Sequence, residues 1–182
     1  MERYLILHCA PTLAGIKTAN LFTYTFMSEE DLKDSLSLAN KILNPKGVYA
    51  QALLIRNNKA LIYVYRKSLL TADLMRKGAK ELLGLYGYHG DSLDNLIFWL
   101  KVRLDINEGF PHEVGLFLGY PLADVIEFIK NEGKNSKCTG CWKVYTDECE
   151  ALKIFAKYRK CKDIYTRLFF QGRSVGRLTI VA

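Results

Sequence analysis

The chain has 182 residues, of which 49% are hydrophobic and 25% are charged, and its formal net charge is +7. That size and apolar content suffice for one domain with a buried core. No apolar run approaches the roughly 20 residues that a membrane helix needs, so we expect no membrane insertion. The apolar stretch at the start is too short for a secretory signal, and the five cysteines are too dispersed for a disulfide framework. The sequence therefore predicts a cytoplasmic protein.

The first segment is predicted to hold a strand, Tyr4–His8, followed by a helix from Pro11 to about Phe22. Cys9 would then lie near the N-terminus of that helix. Exposed backbone N–H groups and the helix dipole favour anions there and lower the pKa of a thiol. Cys9 and Thr12 are therefore a candidate anion site or reactive thiol, with a small buried cysteine as the alternative.

A β-hairpin is predicted for residues 48–65. Ser28 caps a helix that ends at Asn44–Gly47, and two apolar strands then follow, 48–55 and 60–65. Asn57 and Asn58 between them tolerate the positive φ angles of a tight turn. Because both strands are apolar nearly throughout, we expect them at the centre of the sheet, with helices covering at least part of each face.

Two further helices are predicted at about 69–83 and from Asp91 or Ser92 onward, where leucines recur at helical spacing. A helical hairpin follows, with a short helix from His112 to Gly119 and a second that Pro121 opens. This hairpin has the spacing of a helix-turn-helix, so nucleic-acid binding through residues 111–132 and the basic C-terminal helix is one alternative. Asp124 and Glu127, predicted to point outward, argue against it, because they would face phosphates.

The C-terminal third is strongly basic. Residues 130–182 carry 12 Lys or Arg against 5 Asp or Glu, which accounts for the whole net charge of +7. Thr146 precedes a long predicted helix on which Lys153, Lys157 and Lys160 lie at i, i+4 and i+7, on one side. This basic stripe predicts an acidic protein partner or a small anionic ligand, with an ordinary solvated face as the alternative.

A C-x-x-C motif, Cys138 to Cys141, lies in a lysine-rich loop before a predicted strand at 141–145. Nearby lysines would stabilise thiolates, and this spacing suits a redox dithiol or half of a metal site. Cys149 or Cys161 would add a third ligand if the long helix folds back beside the loop. The alternative is that these thiols are structural, because the motif precedes a strand rather than opening a helix and no second C-x-x-C is present.

Three short motifs suggest catalysis but lack the necessary context. Gly172–Gly176 matches G-x-S-x-G, yet a helix precedes it, a strand is predicted after it, and no acid or His follows. His112-Glu113 lacks the second histidine of a zinc protease, and the glycine-rich loop at 84–90 has no phosphate-loop lysine. We therefore predict no catalytic residue.

Several longer runs carry a resemblance to a known family: HCAPTLAGIKTANLF, ALIYVYR, PHEVGLFLGYPLADVIEFI and CTGCWKVY. With these runs, nearly the whole chain resembles a family of uncharacterised proteins from clostridia and related anaerobic bacteria, catalogued as a domain of unknown function. The resemblance implies a bacterial, cytosolic, single-domain protein. It implies no activity, cofactor or catalytic residue.

The predicted architecture is a single α+β domain over residues 1–182, with a small mixed or antiparallel sheet packed by about seven helices. The hairpin would be joined by strands near 141–145 and 175–181 and by the N-terminal strand. The predicted function is a non-catalytic binding or accessory protein whose basic region, 130–182, engages an acidic partner or small anion. Thiol-redox or metal chemistry is the first alternative and nucleic-acid binding the second. The sequence specifies neither a cofactor nor an oligomeric state.

Overall fold

The computed structural model describes residues 1–106 and 109–181. In chain order the elements are α1 (Glu2–Leu13), β1 (Ala19–Thr25), α2 (Glu29–Leu43), β2 (Val48–Arg56), β3 (Lys59–Arg66), α3 (Lys67–Leu74), α4 (Lys77–Leu85), α5 (Leu93–Ile106), α6 (Val114–Phe117), α7 (Leu122–Lys130), β4 (Cys138–Thr139), β5 (Lys143–Val144), α8 (Glu148–Phe170) and α9 (Val175–Leu178). The predicted class, a single α+β domain with a small antiparallel sheet, is confirmed. Within it, residues 1–70 with 160–182 form one compact unit and residues 71–159 a second.

The sheet of the first unit has the order β1-β3-β2, with both pairings antiparallel. The predicted hairpin is confirmed, since Asn57 and Asn58 take φ angles of 50° and 56° between β2 and β3. Asparagine tolerates this left-handed region because its short polar side chain hydrogen-bonds locally. Only β3 is central, however, because β2 is paired on one side alone. The core under the sheet includes the fully buried residues Ile6, Leu43 and Ile62.

The predicted N-terminal strand and the helix after it are both wrong. Residues 2–13 form α1, and residues 19–25 form β1, which pairs with β3, although the helix was predicted to run to about Phe22. The reason lies in a helical spacing, since Leu5, Cys9 and Leu13 are four residues apart and all buried. Their shared apolar face packs into the core of the first unit, which favours a helix over a strand.

The predicted C-terminal strand at 175–181 is also wrong. Residues 175–178 form the one-turn helix α9, which Ser174 caps by accepting a hydrogen bond from the backbone N–H of Arg177 at 3.4 Å. The half-buried Lys46 and the buried Arg66 bind backbone carbonyls of this segment that a neighbouring strand would otherwise bind. Lys46 Nζ donates to the carbonyls of Gly176 at 2.5 Å and Thr179 at 2.6 Å. The β-branched residues of this segment are thus held without strand partners.

Arg66, the second of these cations, is 2% exposed. Its guanidinium donates to the carbonyls of Thr12 at 2.6 Å, Leu13 at 2.7 Å and Ile180 at 2.9 Å. The first two are carbonyls at the end of α1, which have no partner within the helix. Burial lowers the pKa of Arg66, and the negative end of the α1 dipole compensates part of that cost. Arg66 therefore joins α1 to the C-terminal segment within the first unit.

In its described residues, the second unit contains the whole of α4, α5, α6, α7 and the small β4–β5 hairpin, together with the end of α3 and the first half of α8. The predicted helix at 69–83 is split into α3 and α4, whereas the leucine stripe of α5 is buried as predicted. The predicted strand at 141–145 pairs with β4 and does not join the larger sheet, which corrects the prediction. Trp142 and Val144 instead pack in a separate cluster with Ala151 and Phe155. The described residues thus contain nine α-helices against about seven predicted.

Candidate ligand-binding cavity

The second unit contains a cavity of about 430 Å³. Its volume falls within the roughly 300–1,000 Å³ of small-molecule sites. The walls come from the chain before and within α6, from α7, and from the β4–β5 hairpin. The lining residues are mostly apolar or aromatic: Phe110, Pro111, His112, Val114, Gly115, Tyr120, Asp124, Val125, Phe128, Thr139, Gly140, Trp142 and Lys143.

Close packing of α6 on α7 depends on Gly115. A Cβ atom at this position would lie 2.8 Å from Val125 Cγ2 and 3.3 Å from Tyr120 Cδ2, distances shorter than ordinary contacts. Between the helices, Gly119 takes a φ angle of 71°, which glycine adopts at no steric cost. The predicted helical hairpin is therefore confirmed, and its two glycines place one wall of the cavity.

Aromatic rings support one another around the cavity. Tyr120 stacks on Trp142 with 5.2 Å between ring centroids, and Trp142 meets the edge of Phe155 at 4.6 Å. On another wall, His112 lies edge-on to Phe128 at 5.1 Å. Aromatic pairs in these geometries are more favourable than their buried area alone suggests. The rings thus provide flat, apolar walls that the surrounding side chains hold in position.

Asp124 connects α7 to the β4–β5 hairpin, and the prediction that it points outward is wrong. It is 3% exposed. One carboxylate oxygen accepts from Trp142 Nε1 at 2.8 Å, and the other from the backbone N–H groups of Tyr145 and Thr146, both at 2.9 Å, and from Thr146 Oγ1 at 2.8 Å. Burial raises the pKa of the Asp124 carboxyl, but these hydrogen bonds together outweigh it and hold that pKa below its usual value.

Lys143 supplies a cation at the cavity wall. Its Nζ atom donates to the carbonyl oxygen of Gly133 at 2.6 Å and lies 5.9 Å from the centroid of the Phe128 ring. An ammonium group has three donors, so this geometry leaves capacity for further hydrogen bonds. The exposed His112 ring lies edge-on to the same Phe128 ring. Lys143 therefore places a positive charge beside Phe128 at the cavity wall.

Next to the cavity, Glu113 is 1% exposed and forms an ion pair with Arg103 Nε. Tyr88 donates its hydroxyl to Glu113 Oε1 at 3.1 Å, and Arg103 also donates to the Tyr86 carbonyl at 3.1 Å. The pKa of Tyr88 is raised, mostly by burial and to a smaller extent by the negative charge of Glu113. Breaking such a buried pair is costly, so the cluster fixes the turn before α6 to α5. No local spacing in the sequence indicates this cluster.

The predicted anion site at Cys9 and Thr12 lies in the first unit, and its placement at a helix N-terminus is wrong. Cys9 lies within α1 and is fully buried, and burial raises the pKa of its thiol. Thr12 is also buried and donates its hydroxyl to Asn20 Oδ1 at 2.7 Å. Helical packing of α1 thus turns both side chains into the core.

The cysteines of the predicted redox or metal site differ in exposure. Cys138, in β4, and Cys161, on α8, are half-buried, while Cys141 and Cys149 are exposed. Burial, followed by the charge of Glu148 and a hydrogen bond to it, raises the pKa of Cys138, opposite to the predicted thiolate stabilisation. Within residues 1–106 and 109–181, no group of three or more His, Cys, Asp or Glu side chains is arranged to hold a metal ion.

The loop lysines that were expected to stabilise these thiolates make other contacts. Lys143 binds the Gly133 carbonyl, and Lys137 Nζ donates to the Thr146 carbonyl at 2.5 Å. Lys134 pairs with Glu132 at 3.4 Å. The two carbonyl bonds tie the loop to the chain on either side of β4 and β5, whereas the exposed pair of Lys134 with Glu132 adds little.

The predicted basic stripe lies on α8, where Lys153, Lys157 and Lys160 are all exposed. Lys153 pairs with Glu150 at 3.4 Å. In the helical hairpin, by contrast, all four residues of α6 are buried. In a helix-turn-helix the second helix reads the groove, and α7, which holds that position, has Asp124 and Val125 buried.

In the part of the chain that the structure describes, no helix has the length and apolar character needed to cross a membrane. No curated protein and no solved structure matches the chain. A family model described as "Protein of unknown function (DUF3793)" matches residues 5–179. The chain therefore belongs to the DUF3793 family of proteins of unknown function.

Proposed function

We propose that the protein is a non-catalytic binding protein that holds a small, flat organic ligand in the cavity of residues 110–143. The observation that carries this proposal is a cavity of about 430 Å³ with aromatic walls and few polar groups. Ligand sites in proteins combine apolar walls with a small number of placed polar groups in this way.

The polar groups at the cavity support binding rather than catalysis. Asp124 already accepts four hydrogen bonds and is ionised at neutral pH, so a proton taken up there would break contacts that fold the hairpin. Mainly through burial, the pKa of Tyr120 is raised to about 12, which keeps its hydroxyl protonated. A general base works best with a pKa near the ambient pH, and these two groups have moved away from it in opposite directions.

A neutral fluorescent probe, N-phenyl-1-naphthylamine, tests this proposal directly. We expect saturable binding with one probe per chain, and quenching of Trp142 when Trp99→Phe leaves it as the remaining tryptophan of the two. Thr139→Trp places a large ring at the cavity wall and should weaken binding by roughly tenfold or more, since a filled cavity excludes the probe.

Ser136→Trp is the matched control, because Ser136 precedes β4 with its hydroxyl 3.5 Å from that of Thr139 but does not line the cavity. It should leave the affinity for the probe unchanged. Unsaturable fluorescence, or equal binding by both variants, would contradict the proposal.

A second candidate is an acidic protein partner for the exposed lysines of α8. Three ammonium groups at helical spacing on one element favour it. The C-x-x-C chemistry is a third candidate; Cys138 and Cys141 lie in the hairpin that contributes a wall of the cavity, but the raised pKa of Cys138 disfavours a thiolate there. Both are tested in the Discussion.

A further inference from the structure

We infer that the ligand of this cavity is a small aromatic carboxylate and that Lys143 recognises its carboxylate group. The inference rests on the proposed function, since it names the class of ligand for the same cavity. It adds two requirements, a negative charge on the ligand and a specific cation that meets it.

The shape of the walls selects the aromatic part. Tyr120, Trp142 and Phe128 present ring surfaces to a volume of about 430 Å³, which accommodates a molecule of one or two fused rings. Rings in this arrangement favour a flat, polarisable partner that stacks or meets them edge-on. A flexible polar chain would instead leave its own hydrogen-bonding groups without partners against these walls.

The charges at the walls select the anion. Lys143 donates one hydrogen bond to the Gly133 carbonyl, lies 5.9 Å from the centroid of the Phe128 ring, and lines the cavity together with mostly apolar residues. An ammonium beside apolar walls gains more from a carboxylate than one in open water, because the local dielectric constant is lower. A neutral ligand would cover the same ammonium without replacing its lost water.

Asp124 also lines the cavity, and its negative charge must be weighed against this inference. Both of its oxygens are directed at donors in the hairpin, with one held by the Trp142 indole and the other by Tyr145 and Thr146. Those four donors offset much of its charge. Lys143 also forms its own bond to a carbonyl rather than to Asp124, so its charge is available to a ligand.

The test displaces N-phenyl-1-naphthylamine with either 2-naphthoate or 2-naphthamide, which share a ring system and differ in charge. We expect the carboxylate to displace the probe at a concentration about tenfold lower, the usual size of one charge-assisted hydrogen bond. Lys143→Met should abolish this preference, measured as the ratio of the carboxylate and amide concentrations that displace half of the probe. Lys143→Arg should retain the preference.

Lys137→Met is the matched control. Lys137 also donates to a backbone carbonyl in this loop, at 2.5 Å against 2.6 Å for Lys143, but it does not line the cavity. It should therefore retain the full preference for 2-naphthoate. Salt provides a second test on the unaltered protein. Raising the salt concentration should weaken the binding of 2-naphthoate and leave that of 2-naphthamide unchanged.

The failure of this inference is distinguishable from that of the proposed function. If the neutral probe binds but the carboxylate and amide displace it equally, the cavity binds ligands and the anion inference is wrong. The same holds if Lys143→Met and Lys137→Met behave alike. If the neutral probe does not bind the unaltered protein, the proposed function itself is wrong.

Discussion

At the scale of single residues, Asp124 joins α7 to the β4–β5 hairpin through four hydrogen bonds. Asp124→Asn places an amide N–H₂ where either the Trp142 indole or the Thr146 group needs an acceptor, so at least one buried donor loses its partner. We expect a loss of about 3 kcal/mol in the free energy of unfolding. Urea denaturation measures it. Asp34→Asn, on the exposed face of α2, is the control and should change little.

The same carboxylate predicts how stability depends on pH. Its pKa is held below the ordinary value of 3.8 in the folded protein, so it stabilises the fold above that value. This contribution is lost as the pH falls through the lower, folded pKa. The stability difference between the parent and Asp124→Asn should therefore be full at pH 7 and shrink below about pH 4. A difference that stays constant down to pH 2 would contradict this assignment.

Sequence reasoning misplaced Asp124 for a physical reason. In α7 it adjoins Val125, and local periodicity cannot show whether a carboxylate beside an apolar stripe faces solvent. Its donors come from Trp142, Tyr145 and Thr146, which are 18 to 22 residues later in the chain. The same limit applies to the Arg103–Glu113 pair, whose partners meet across the end of α5.

At the scale of elements, predictions succeeded where the signal was local. The Asn57–Asn58 turn, the Ser28 cap of α2 and the leucine stripe of α5 each rest on residues within one or two turns of chain. Prediction failed at both termini. The apolar run at 4–8 suits a strand or a helix equally in so short a window. The run at 175–181 has β-branched residues, yet its carbonyls bind Lys46 and Arg66 instead of a strand.

The β4–β5 hairpin allows a test of the thiol alternative. We expect the Cys138→Ser, Cys141→Ser double variant, prepared without oxygen, to match the parent in metal content and in affinity for the neutral probe. The reason is that burial and Glu148 raise the pKa of Cys138, which disfavours the thiolate needed as nucleophile or ligand. Elemental analysis and alkylation rates measure the outcome. Stoichiometric zinc or iron lost on substitution, or a fast-reacting thiol that disappears, would favour redox or metal chemistry.

At the scale of the whole molecule, positive charge is concentrated in the C-terminal third. Residues 130–182 contain 12 basic and 5 acidic residues, and the preceding chain is balanced. This third includes both Lys143 at the cavity and the exposed lysines of α8. Excess charge of one sign accelerates encounters with oppositely charged molecules and depends on salt. The same bias therefore serves a small anion and an acidic protein, and the two require separate tests.

The acidic-partner candidate predicts a position-specific effect beyond net charge. The α8 triple variant replaces three exposed lysines with glutamate: Lys153→Glu, Lys157→Glu and Lys160→Glu. The control does the same at three exposed lysines elsewhere: Lys33→Glu, Lys41→Glu and Lys59→Glu. Each triple variant lowers the net charge from +7 to +1. On immobilised poly-L-glutamate, the α8 triple variant should elute at a lower salt concentration than the control, because it alone removes aligned cations. If both triple variants elute at the same salt concentration, the α8 lysines bind poly-L-glutamate only through the net charge of the protein, which contradicts a specific acidic partner. Retention on single-stranded DNA that falls steeply with salt and is lost in the α8 variant alone would favour nucleic acid instead.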